Sequence, residues 1–282
     1  MSWQLVQVNL MPLILKSLEF LKCAWLQRSL LQDLIKRDIQ GRYKGSVGGV
    51  FWSLVTPILM LGIYTFFFSV IFKARWSDAS EGKMFFAVNL FAGMIVHSMF
   101  SECVNRSPKL ILDNVNFVKR VVFPLELLPW VGMGTAIYHG AVSFIVLLVF
   151  TLIINQGVLP WTIGLVPFIL IPLCMLILGI SWFLASLGVY LRDIAQTTTL
   201  FTSILMFMSP VFYPVSALPE AYRPLVYINP LTLIIEQLRM VLVQGQVPSM
   251  IEWSLLLVVC WIICILGYSW FQKTRKGFAD VI

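Results

Sequence analysis

The sequence predicts an all-α integral membrane protein with six spans, an amphipathic helix ahead of the first, and a re-entrant hairpin between the fifth and sixth. Three observations lead there. Only 12% of the 282 residues are charged and 59% are hydrophobic, and the mean hydropathy is +0.89, outside the range of soluble domains. The charges are confined to the gaps between seven uncharged runs: Val50–Phe72, Met84–Ser101, Leu127–Ile154, Val158–Leu191, Ile194–Pro219, Met240–Ile251 and Trp253–Phe271. The basic residues, finally, are shared unequally between alternate gaps.

Length decides which runs cross. Val50–Phe72, at about 1.5 Å per residue, makes a helix of roughly 34 Å, enough for a hydrocarbon core of about 30 Å. Runs of this kind are far longer than the alternating segments of about ten residues in a membrane barrel, and backbone in lipid must satisfy itself, so the spans are helices. Met240–Ile251 is too short to cross and Glu252 separates it from Trp253–Phe271, leaving six. Val158–Leu191 exceeds one crossing and carries Pro160, Pro167 and Pro172 in its first half, so residues 158–167 are expected in the outer interface with Trp161. No internal repeat stands out.

Orientation follows from charge. Seven basic residues precede span one, four lie between spans two and three, Arg192 follows span four and three lie in the tail; the other side holds Lys73, Arg75, Lys83, Arg223 and Arg239. Positive residues collect in the cytosol, so both termini are expected there. Topology thus accounts for the net charge of +7 without a nucleic-acid partner. The N-terminus lacks the zones of a cleavable signal peptide: Leu10–Leu15 holds Pro12 and runs into Lys16. The five scattered cysteines read as small apolar packing residues, Cys260 and Cys264 sharing a face of the last span.

Residues 1–49 form a cytoplasmic arm, 50–272 the six-span domain and 273–282 a tail. In the arm, Leu26, Leu30, Leu31, Leu34 and Ile35 make one stripe, with Arg28, Ser29, Gln32, Asp33 and Lys36 on the other face; such a helix lies flat among headgroups. A flexible elbow, Gly41 to Gly49, leads into span one. No G-x-x-x-x-G-K-[ST] string occurs, so the chain has no P-loop of its own. Between spans two and three, Ser107-Pro108 opens a short helix and Pro124 closes the segment. Between spans five and six, Ser209-Pro-Val-Phe-Tyr-Pro214 breaks the run, and Pro219, Pro224 and Pro230 punctuate the next twenty or so residues. Pro224–Ile235 is too short to span, and irregular backbone at membrane depth survives only against protein or a watery cavity. Glu236 and Arg239 share a helix face there.

Catalysis finds little support. Within the spans, Asn89, His97 and His139 are the main polar residues, with hydroxyls at Thr56, Tyr64 and Ser143. A proton relay would want carboxylates at depth; the histidines read as interhelical hydrogen-bonding groups, and no catalytic or metal-ligating set is grouped.

Three blocks carry a resemblance: Leu34-Ile-Lys-Arg-Asp-Ile-Gln-Gly-Arg-Tyr-Lys-Gly-Ser-Val-Gly-Gly-Val-Phe-Trp-Ser-Leu-Val-Thr-Pro57; Val118-Lys-Arg-Val-Val-Phe-Pro-Leu-Glu-Leu-Leu-Pro129; and Ser209-Pro-Val-Phe-Tyr-Pro214 with Ile228-Asn-Pro-Leu231 and Glu236-Gln-Leu-Arg239. In that order they resemble the type-2 ABC exporter permeases of polysaccharide export, over most of residues 30–275. The resemblance implies that Leu26–Gln40 is the interfacial helix, that Ser107–Phe117 is a coupling helix touching the ATPase, and that Pro224–Val243 belongs to periplasmic gate helices within about 217–250. It implies two permease copies with two ATP-binding subunits that hold ATP and Mg, and a lipid-linked polysaccharide as cargo, O-antigen before capsule or teichoic acid. ATPase coupling then falls to Arg37, Asp38, Leu110, Asp113, Asn114, Phe117, Lys119 and Arg120, and the gate to Pro210, Pro214, Asn229, Pro230, Glu236 and Arg239. Aromatic faces suit sliding sugars, which makes Trp52, Tyr64, Phe207, Phe212 and Tyr213 candidates for the path. A type-2 exporter of a drug or simple lipid, and a membrane-embedded acyl- or glycosyltransferase, are the alternatives.

Overall fold

A computed structural model describes residues 19–67, 83–118 and 123–281, with the side chains of residues 83, 84, 118 and 280 left aside. Lys119, Arg120 and the arm before residue 19 therefore lie outside the described residues. The described residues form helices and connecting turns, with no strand among them.

The first helix, α1 (residues 19–26), is separated by a turn at Gln27 from α2 (Arg28–Tyr43). The sequence suggests one helix over Leu26–Gln40; the break at Gln27 and the extension to Tyr43 correct both ends. α2 has no fully buried residue, but Leu30, Leu31, Leu34, Ile35 and Asp38 are half-buried while Gln32, Asp33, Lys36 and Arg37 are exposed. The expected two-faced pattern is therefore present from Leu30 onward, while Leu26, expected in the same stripe, lies before the break and is exposed.

Among the described residues, five helical segments are long and apolar enough to cross a bilayer: Gly49–Phe67, Phe85–Lys109, Leu127–Ile154, Trp161–Tyr190 and Met250–Gly277. Their helices are α3 (Trp52–Tyr64), α4 (Lys83–Arg106), α6 (Leu127–Ile154), α7 (Val166–Tyr190) and α11 (Met250–Thr274). α8 (Ile194–Met208) has 15 residues, about 22 Å, short of a crossing on its own. Thr198 and Thr202 are its only buried residues.

The expected single helix over Ser107–Phe117 is instead three pieces: 3₁₀ turns at Ser107–Lys109 and Leu112–Asn114, then α5 (Val115–Val118). The chain enters this segment pressed against α7: the Pro108 carbonyl lies where a Cβ on Gly188 would sit, and Ser107 turns its hydroxyl back to the Cys103 carbonyl at 2.6 Å. Pro108 also lacks the N–H that would continue α4's ladder.

Beyond α8 the chain makes α9 (Arg223–Tyr227) and α10 (Pro230–Arg239), a π turn at Met240–Gln244, then α11 and a closing turn, α12 (Phe278–Val281). Asn229 separates α9 from α10 and caps the latter, its Oδ1 accepting from Leu231 N at 3.1 Å. Gly245 ends the π turn in the left-handed region at φ 65°, where glycine carries no penalty. Glu252 does not divide the last run from the one before it: Ser249 caps α11 and Glu252 sits in its first turn, where a carboxylate is favoured.

α7 and α11 meet almost backbone to backbone. A Cβ on Gly179 would come within 2.6 Å of the Ile263 carbonyl oxygen, and one on Gly267 would strike the Gly179 backbone. Cys260 and Cys264 are buried on α11. At one end of this pair, Phe20, Trp130, Trp182 and Tyr268 pack with ring centroids 5.0–6.3 Å apart, holding α1 to the bundle. Glu126 adds polar ties there: its carboxylate accepts from Arg275 at 2.7 Å and its carbonyl from Trp182 Nε1 at 3.2 Å.

Candidate functional site

α2 is fastened to α4 and α6 by three pairs of side chains, each pair one helical turn apart: Asp38 and Arg42, Glu102 and Arg106, Thr135 and His139. On the first rung, Arg106 grips Asp38 with both guanidinium nitrogens, at 2.7 and 3.0 Å, and Thr135 donates to the same carboxylate at 2.8 Å. On the second, Arg42 meets Glu102 at 2.6 Å. His139 completes it, with Nδ1 3.2 Å from both Glu102 oxygens and Nε2 3.0 Å from the Tyr43 hydroxyl. With Nδ1–H donating to Glu102, Nε2 accepts from Tyr43. The polarity alternates between rungs, so each of α2 and α4 carries an acid and a base four residues apart.

Burial by itself pushes the Asp38 carboxyl up, but the hydrogen bonds and charge of Arg106, with the Thr135 hydroxyl, outweigh it and leave the group below its usual range. Ile35 needs Gly134 opposite it: a Cβ there would collide with the Ile35 side chain. α2, α4 and α6 are thus joined by charge, hydrogen bonds and close packing.

Beside these rungs is a cavity of about 540 Å³ between α2, the end of α4, the segment after it and α6. Six of the eight residues expected to couple to an ATPase line it: Arg37, Asp38, Leu110, Asp113, Asn114 and Phe117; Lys119 and Arg120 fall outside the described residues. Arg37 and Asp113 are exposed, whereas Asp38 turns inward, so its carboxylate is committed to Arg106 and Thr135. Sequence reasoning missed Glu102, Arg106, Thr135 and the role of Arg42. Their shared spacing of four residues was the available signal.

Of the residues expected at the gate, Arg239 with Glu236, and Asn229, form pins between elements. Arg239 is 2% exposed; it donates to the carbonyls of Asn89 and Val211, each at 3.0 Å, and to Glu236 at 2.9 Å. One guanidinium thereby joins α4, the turn after α8 and α10. Gly93 makes room: a Cβ there would lie 3.0 Å from Arg239 Nη2. Asn229 Nδ2 donates to Ser209 at 2.8 Å, Pro210 is buried, and Pro214 and Pro230 are half-buried. His97 Nε2 lies 3.0 Å from the Thr202 carbonyl, and Thr202 donates to Asn105 at 3.0 Å, tying α8 to α4. Both histidines are hydrogen-bonding residues between elements.

The aromatic candidates separate into groups. Phe207 is 67% exposed; its ring lies 5.9 Å from that of Phe212, and Tyr213 donates to its carbonyl at 3.1 Å. Trp52 is exposed at the other end of α3 from half-buried Tyr64, and lines a cavity of about 270 Å³ with Arg42, Tyr43 and His139.

The cavity, the bound amphipathic helix and the proline-rich hairpin occur together in one stretch, and residues 29–243 match the ABC-2 type transporter family. The chain belongs to that family. Among its ABC-2 relatives, an O-antigen export system permease protein RfbA of Klebsiella pneumoniae is 25% identical over 254 residues, 90% of this chain and 95% of the relative. The RfbA protein of Myxococcus xanthus is 24% identical, covering 90% and 96%. The polysialic acid transport protein KpsM of Escherichia coli is 23% identical, covering 89% and 95%.

Proposed function

We propose that this chain is the membrane subunit of an ABC exporter that moves a lipid-linked polysaccharide, O-antigen foremost, across the bacterial inner membrane. The likeness to polysaccharide permeases along nine-tenths of the chain supports the cargo class. The cavity beside α2 supports the means: it gathers Arg37, Leu110, Asp113 and Phe117 into a socket with charged and apolar walls, suited to a helix of a separate ATP-binding subunit. That subunit, present twice, binds ATP and Mg. Force applied at the socket moves α2, α4 and α6 together, because the two ion-paired rungs and the close contact of Ile35 with Gly134 couple them.

In this reading α8 completes a sixth span with the turn that follows it, α9 and α10 form the re-entrant gate, and both termini face the cytoplasm. The working unit has two copies of the chain. α3 buries only Ser53, Pro57 and Leu61, and α8 presents Thr199, Ser203 and Phe207 outward. Hydroxyls and an aromatic ring set among the exposed aliphatic side chains of these two helices suit a path enclosed between two copies, along which sugars stack weakly and repeatedly.

The test uses a bacterial strain lacking its O-antigen permease, supplied with this chain and its cognate ATP-binding subunit. Surface O-antigen should return only when both are present. Asp113→Arg and Arg37→Asp should retain membrane insertion yet lower co-purification of the ATP-binding subunit and reduce export at least tenfold. Translocation of glycolipid by the chain alone in vesicles, or full export by both charge-reversed variants, would refute the proposal.

A further inference from the structure

α6 and α7 follow one another in the chain and meet over only part of their length. Between them runs an apolar slot of about 440 Å³. Its floor is Ile95 and Met99 of α4 with Leu238 of α10, all buried. Phe144 and Leu170 form walls, and the lips, including Ala141 and Gly164, are exposed. Every lining side chain is hydrocarbon or sulfur-bearing. Ile95 and Met99 lie near the middle of the span Phe85–Lys109, so the slot is at the depth of the hydrocarbon core.

An apolar cavity of about 150 Å³ already holds a benzene-sized guest and stays dry; this one is roughly three times larger and opens sideways. Its shape narrows the choice of occupant. Along α7 it runs from Ile163 to Cys174, roughly 16–18 Å at helical rise. Spreading the volume over that length gives a slot narrower than a helix with its side chains, about 10–12 Å wide, and wide enough for a hydrocarbon chain. A helix of a second copy would enter only if the slot widened. The length matches one leaflet, about half of a 30 Å core.

We propose that a phospholipid acyl chain occupies this slot and braces α10 through Leu238, next to the Arg239 pin. The site is independent of what the protein exports. It makes bilayer lipid a structural partner of the hairpin rather than a surrounding solvent alone.

The test places the purified chain in nanodiscs of phosphatidylethanolamine and phosphatidylglycerol carrying a trace of phosphatidylcholine with a mid-chain diazirine. After photolysis, adducts are mapped by peptide mass spectrometry. Adducts should concentrate on residues 137–144 and 163–170. Gly164→Trp and Ala141→Phe should each lower them at least fivefold while leaving labelling at exposed Leu255, Val258 and Ile262 of α11 unchanged. Both variants are placed to fold: a Cβ at Gly164 meets nothing within 4 Å and Ala141 is exposed. Slot labelling no greater than that of α11, or unaffected by both variants, overturns the proposal. So does selective labelling by a diazirine polyprenyl phosphate in place of the phospholipid, or a disulfide dimer formed through Ala141→Cys.

Discussion

Replacing Arg106 by glutamine removes the fork that holds Asp38, and the structure sets the size of the loss. The two bonds are 2.7 and 3.0 Å, in the short range of charge-assisted contacts. Fully enclosed, hydrogen bonds to charged groups contribute about 1.5–3 kcal/mol each. Here the side chains retain 35% and 22% of their exposure, and solvent screening lowers the pair to about 1–2 kcal/mol in total. A cycle of Asp38→Asn, Arg106→Gln and the double variant, followed by SDS-titrated unfolding in mixed micelles, should return a coupling of that size. The charge swap Asp38→Arg with Arg106→Asp gives a sharper test. It restores the attraction but sets the new arginine one turn from Arg42 and the new aspartate one turn from Glu102, like charges that cost about 0.2–0.5 kcal/mol on each helix. The swap should therefore be more stable than either single reversal and less stable than the natural chain. A coupling under about 0.3 kcal/mol, or a swap no better than the single reversals, would refute the description of this rung as a fastening.

The same carboxylate gives a pH dependence. Because its folded value is depressed below 3.8, its contribution is complete above that pH and is lost as pH falls through the folded value; unfolding of Asp38→Asn should be less acid-sensitive than that of the natural chain. Arg239→Met should destabilise by about 3 kcal/mol or more, since two carbonyls and Glu236 lose a buried partner, and Arg239→Lys should recover only part, lacking the planar fork; unfolding midpoints in micelles check both. Gly179→Val should cost about 1–3 kcal/mol through overpacking against the Ile263 and Cys264 backbone, whereas Gly62→Val, at a position with open space for a Cβ, should change the midpoint little.

Features that depend on one segment at a time could be read in advance. The uncharged runs locate five spanning helices because hydrocarbon excludes charge wherever the helix sits. The stripe Leu30, Leu31, Leu34, Ile35 places the inner face of α2 because helical period alone decides which residues share a side. Glu236 and Arg239 were legible as neighbours for the same reason. The partners of Arg239 were not, since the Asn89 and Val211 carbonyls lie on elements 150 and 28 residues distant, and backbone acceptors leave no mark in a sequence. The partners of Asp38 were not legible either, because Arg106 and Thr135 reach it from helices 68 and 97 residues further along the chain. Pro108 marks the start of the broken Ser107–Phe117 segment in the sequence, but its close seat against Gly188, a small residue on a different helix, is something no local propensity reveals.

The contact of Gly179 with Gly267 removes side chains from the seam between two helices, and with them the usual means by which such helices slide. A shift of even one residue would drive a Cβ-bearing neighbour into a carbonyl. α7 and α11 therefore act as a fixed post, and a stroke of α2, α4 and α6 must run past it and carry along α3 and α8, which bury only Ser53, Pro57 and Leu61, and Thr198 and Thr202. Freezing those two helices with engineered cross-links, rather than touching the post, is how this machine would be stalled.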